Sequence, residues 1–106
     1  MKTYNKLVRD RIPEIIEATG ARCETKILSD AEYLLLLNAK LDEELAEYHE
    51  TGDIEELADL LEVIYAITVA KGYTIPQLDF KRQKKALDRG HFYRKIMLLS
   101  VDEVRK

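Results

Sequence analysis

The segment from Ile54 to Lys71 constrains the fold more than any other. It carries Leu57, Leu60, Leu61, Val63, Ile64, Tyr65, Ile67 and Val69, and after Asp59 its only charge before Lys71 is Glu62. Asp53 can cap it at one end and Gly72 stops it at the other, so the segment reads as one helix. A helix that is apolar nearly all round has to be buried. The rest of a 106-residue chain offers only short, amphipathic helices as cover, and a chain this small buries a modest fraction of its surface. Part of the helix is therefore expected to be covered by a second copy of the chain, with Ile64 and Ile67 at the contact. The products are a homodimer, or a tetramer built from it, assembled through the central helices.

Three more helices follow from caps and periodicity. Ser29-Asp30-Ala31-Glu32 is a Ser-x-x-Glu capping box opening a helix to about Glu50. Leu34, Leu37, Leu41, Leu45 and Tyr48 form its apolar stripe. The short turn at Thr51-Gly52 makes this helix and the next an antiparallel hairpin. A first helix after Asp10 carries Ile12, Ile15 and Ile16 and stops at Gly20. A fourth begins at Thr74-Ile75-Pro76-Gln77 and ends near Gly90. Residues 22–28 and 95–101 are expected to be short extended segments. The fold class is all-α, a four-helix bundle forming one domain over residues 1–106.

Composition narrows the chemistry. A single cysteine, Cys23, excludes an internal disulfide and a cysteine metal cluster, which fits a reducing cytoplasm. The N-terminus has no apolar stretch of signal-peptide type, and the longest uncharged apolar run is Val63 to Ala70, so the expectation is a cytoplasmic protein with no membrane partner. The net charge of −3 conceals a division of sign. Residues 1–28 hold six basic and four acidic groups, residues 29–62 one and twelve, and residues 71–106 ten and four. An acidic centre with basic flanks is what a polyphosphate and its cations need, and it gives no reason to expect a nucleic-acid polymer.

The acidic centre is patterned. Glu44 and Glu47 lie three apart on the second helix, and Glu56 and Asp59 repeat that spacing on the third, so each pair shares a helix face. At 100° per residue, Glu44 falls roughly 60° from the middle of the leucine stripe and Glu43 roughly 160° away, which puts Glu44 at the core border and Glu43 in water. In a hairpin the four carboxylates converge beside an apolar interface. Such a cluster repels itself unless a cation neutralises it, and magnesium prefers carboxylate oxygens, water and phosphates. A structural reading stands beside this one. Glu56 also fits as the reciprocal cap of Asp53, and Glu44 or Glu47 as a solvated residue paired with Lys40. Glu62, three after Asp59, is a further acceptor for the same site.

The segments Glu43-Glu44-Leu45-Ala46-Glu47 and Glu56-Leu57-Ala58-Asp59 resemble the E-x-x-E and E-x-x-D pair of the MazG-like all-α nucleoside triphosphate pyrophosphohydrolases. The opening Tyr4-Asn5-Lys6-Leu7-Val8-Arg9-Asp10-Arg11-Ile12-Pro13 and the closing Lys85-Ala86-Leu87-Asp88-Arg89-Gly90-His91-Phe92 resemble the phosphoribosyl-ATP-pyrophosphohydrolase-like members of that group. The resemblance implies that Glu44, Glu47, Glu56 and Asp59 bind Mg2+, with Mn2+ as the alternative ion, in a helical bundle that dimerises. The eight residues between Glu47 and Glu56 are fewer than in typical MazG domains, which leaves less room for a wide base pocket.

The expected function is Mg-dependent hydrolysis of a nucleoside triphosphate, or a related nucleotide, to the monophosphate and pyrophosphate, in keeping with a house-cleaning role. Glu44 or Glu47 is the catalytic carboxylate that orients or deprotonates the attacking water. Lys6, Arg9, Lys84, Lys85 and Arg89 are candidate phosphate ligands. The tyrosines offer base-stacking rings, and His91 reads as a partly exposed structural histidine. The alternative is a non-catalytic helical module that dimerises and binds a partner through its charged faces, with no dependence on divalent metal.

Overall fold

The computed structural model describes residues 2–103. Its helices are α1 (Ile12–Glu17), α2 (Asp30–Thr51), α3 (Ile54–Ala70) and α4 (Ile75–Arg89). No strand occurs among the described residues, so the fold is all-α. The chain divides into two compact units, Met1–Ile75 and Pro76–Lys106, and each is described by itself.

In the first unit the hairpin is the organising element. The capping box forms in full: the Glu32 amide donates to Ser29 Oγ at 3.2 Å, and the Ser29 amide donates to Glu32 Oε1 at 3.4 Å. At the far end the Gly52 amide donates to the Tyr48 carbonyl at 2.8 Å, with Gly52 at φ 70°, a left-handed conformation that costs glycine little. Only Gly52 and Asp53 separate α2 from α3. That brevity lays α3 back along α2 and buries Leu37 and Val63, the core of the contact. Thr68 is buried as well, its hydroxyl satisfied by the Ile64 carbonyl at 2.8 Å.

Four-helix packing is not what the first unit displays. Among α1, α2 and α3 only the α2–α3 pair is in contact. The first helix is shorter than the sequence implies: it has six residues, begins after Arg11 instead of Asp10, and gives way to turns before Gly20. Fewer than two turns cannot bury an apolar stripe, and Ile15 and Ile16 stay 51% and 38% exposed. Residues 22–28 and 95–101 make no β ladder. An extended segment becomes a strand only when another backbone accepts its hydrogen bonds, and Lys95 also turns to φ 62°.

The second unit consists of most of α4 and the segment after it. Asp79 accepts from Arg82 Nε at 2.9 Å and from Gln83 Nε2 at 2.8 Å, so α4 uses part of its charge locally. Beyond Gly90, His91 stacks on Tyr93 with centroids 5.1 Å apart and planes 4° apart. No helix among the described residues is long and apolar enough to cross a membrane.

Candidate metal centre

The hairpin brings together three of the four carboxylates expected from the sequence. One oxygen each from Glu44, Glu56 and Asp59 lie within 4.8 Å of one another. Adjacent ligands of an octahedral magnesium ion stand about 2.9 Å apart and opposite ones about 4.2 Å, from a metal–oxygen distance of about 2.0–2.1 Å, so side-chain motions on the order of 1 Å would close the three around one ion. Glu47 is not one of the three, but its carboxylate helps to raise the carboxyls of both Glu44 and Glu56.

Glu44 is the unusual member. It is only 7% exposed. Its Oε1 lies 3.6 Å from Lys40 Nζ, while its Oε2 is buried with no hydrogen-bond partner. Lys40 is shared, since its Nζ also donates to Glu43 Oε1 at 3.3 Å. A buried carboxylate oxygen without a partner carries a desolvation cost that a cation would relieve, so the donor set fits a hard divalent ion better than it fits none. Burial is also the main cause that raises the Glu44 carboxyl above its ordinary 4.5, reinforced by Glu47 and Asp59 against the opposing charge of Lys40. Glu56 is raised for the same first reason, then by the charges of Glu47 and Asp59.

The helix facing derived from the stripe is borne out at Glu44, which is buried, whereas the Glu43 side chain is 40% exposed. The capping role considered for Glu56 is not seen. Asp53 makes no side-chain cap bond, and its amide instead donates to Thr51 Oγ1 at 3.2 Å. The pairing of Glu44 with Lys40 is present, but it engages one oxygen and leaves the other free.

Of the basic candidates, Arg9 reaches the centre: its Nη2 lies 2.7 Å from Asp59 Oδ1. The guanidinium thus occupies, for one ligand, the place of a counter-cation. Lys6 is exposed, with Nζ 5.9 Å from the centroid of the Tyr4 ring. Lys84, Lys85 and Arg89 are exposed on α4, in the second unit. Sequence patterning did not single out the wall that Leu7, Val8 and Asp10 form beside the cluster, because an irregular segment has no period to reveal which residues face inward. The basic flank containing Arg9 and the family resemblance of the opening segment were the signals available.

The chain is 60% identical over 42 residues to an uncharacterised protein of Mycolicibacterium smegmatis, a match covering 40% of this chain and 43% of that protein. The aligned part is thus less than half of the relative's length. No family model matches the chain, and no solved structure matches it.

The raised carboxyls make metal-free stability depend on pH. For a group whose folded pKa exceeds its unfolded value, the folded state holds more protons within that window, so stability falls as pH rises through it. The penalty is absent below about 4.5 and complete above the folded value. In chelator, Glu44→Gln should therefore melt higher than the parent at neutral pH, and the difference should shrink as the solution is acidified toward 4.5. Thermal denaturation followed by circular dichroism measures this, and a pH-independent difference would contradict it.

Proposed function

We propose that this chain is a magnesium-dependent nucleotide pyrophosphohydrolase of the MazG-like kind. The observation that carries the proposal is the buried Glu44 carboxylate, its Oε2 without a partner, in a cluster where one oxygen each from Glu44, Glu56 and Asp59 lie within 4.8 Å of one another. An acidic group alone would be a solvated surface. One that buries a carboxylate and leaves half of it unpaired wants a cation.

Glu44, Glu56 and Asp59 would hold the ion, each offering one carboxylate oxygen. Magnesium would supply charge neutralisation and polarisation of phosphate oxygens, in a site where water is also activated. The chain's own groups do the rest. Glu47, beside both Glu44 and Glu56, accepts a proton from the attacking water and holds its oxygen toward the phosphorus that carries the nucleoside. Arg9, sharing Asp59 in the structure, has the planar fork that suits a phosphate oxygen and lies where a phosphate chain would arrive. The water oxygen bonds to that phosphorus, the bridging bond breaks, and pyrophosphate leaves.

The exposed apolar side chains of α3 support a homodimer as the working form. The test of the function is release of pyrophosphate from a panel of canonical, deoxy and modified triphosphates, with magnesium, with manganese and with chelator. Metal-dependent release from at least one nucleotide is expected. Absence of turnover on every one, in folded protein, would favour a non-catalytic helical module instead.

A further inference from the structure

The first unit holds a cleft of about 330 Å³ that extends beyond the acidic cluster. One wall is the irregular segment before α1, with Leu7 and Val8, and its floor is the hairpin itself, with Leu37, Val63 and Ala66. Tyr33, half-buried on α2, adds an aromatic ring to the lining. Two residues of the acidic cluster, Glu44 and Asp59, border this cleft as well. Cations Arg9 and Lys40 line it and are each ion-paired to one of those two carboxylates.

We infer that this cleft receives the base and sugar of the nucleotide, and that the segment Leu7–Asp10 sets which nucleoside is accepted; the inference rests on the function proposed above. Continuity is the first reason. A phosphate chain held by metal on Glu44 and Asp59 has its remaining end at the mouth of the cleft. Chemistry is the second. The lining is half apolar, including the Tyr33 ring, and half charged, with Asp10 and Glu62 beside the two cluster carboxylates and the two cations; the apolar half suits a flat ring system, while the acidic half accepts an anionic chain only through a bound cation. Size is the third, since small-molecule sites run from about 300 to 1,000 Å³ and this one lies at the lower end. It has room for one nucleoside.

The experiment is calorimetric titration of the full chain, in magnesium, with the α,β-methylene triphosphates of the common nucleosides and with inorganic triphosphate. The parent protein should bind at least one nucleoside analogue about tenfold more tightly than inorganic triphosphate. Ala66→Leu, which fills the floor, should erase that preference and leave the affinity for inorganic triphosphate unchanged. Val8→Ser should reduce it in the same direction, and because Val8 lies on the irregular segment and is 38% exposed it does not endanger the hairpin. Parent-like nucleoside preference in both folded variants would overturn the inference. So would a parent that binds inorganic triphosphate without preferring any nucleoside analogue, and this result would leave the metal centre standing. A parent that binds none of these compounds in magnesium would overturn the proposed function and this inference together.

Discussion

Asp59→Asn and Glu47→Gln should each lower turnover at least about a hundredfold, a barrier increase of roughly 2.7 kcal/mol, while Glu43→Gln changes it little. The contrast is the informative part, because all three substitutions exchange a carboxylate for an amide of the same shape. Asp59 contributes an oxygen to the cluster, and Glu47 stands beside both Glu44 and Glu56. Glu43 is not part of that cluster, and its Oε1 accepts from Lys40 Nζ at 3.3 Å. Loss of stability is a poor rival explanation for Asp59→Asn. The ion pair it breaks with Arg9 has side chains 59% and 41% exposed, and exposed pairs contribute little to folding. Steady-state release of pyrophosphate, with melting in chelator as the control, reads out the series. Glu43→Gln abolishing activity while Glu44→Gln spared it would reverse the assigned facing of α2.

The hairpin was legible in the sequence because its signals are local and agree. Ser29 and Glu32 form the box their spacing implies, and Gly52 ends α2 where a left-handed residue was needed. The approach of Glu44 and Glu56 follows from those two facts and the repeated three-residue spacing, since a two-residue connection fixes which turns of α2 and α3 face each other. The burial of Glu44 could be derived from its angle to the leucine stripe. Its unpaired oxygen could not, because that depends on Lys40 dividing itself between Glu43 and Glu44. The first helix was overextended for a different reason. Ile12, Ile15 and Ile16 have helical spacing, but spacing does not supply a surface to pack on, and without one the helix closes after six residues. Arg9 was one of five basic candidates of equal standing, and only the tertiary path of residues 7–10 separates it from the others.

Leu61→Asp should convert a homodimer into a monomer and remove most of the activity with it. On α3, Ile54, Leu57, Leu61 and Val69 are 75%, 40%, 46% and 60% exposed. At 100° per residue they fall within an arc of roughly 120° on the side away from Val63, which faces α2. A stripe of large aliphatic side chains left in water is costly at about 25 cal/mol per Å². A two-fold partner would cover it with the same stripe, and a standard interface needs about 800 Å² from each side. The position of the substitution matters. Ile64 and Ile67, attractive probes from sequence alone, are half-buried in the hairpin, so an aspartate there would damage the fold together with any assembly. Leu61 lies on the open stripe, and its aspartate stays solvated in a monomer but is desolvated between two copies. Activity should fall with assembly if the partner's basic residues complete the acidic centre. Light scattering at low micromolar concentration, with helicity checked by circular dichroism, gives the result. A parent protein that is monomeric and fully active under those conditions would refute the dimer.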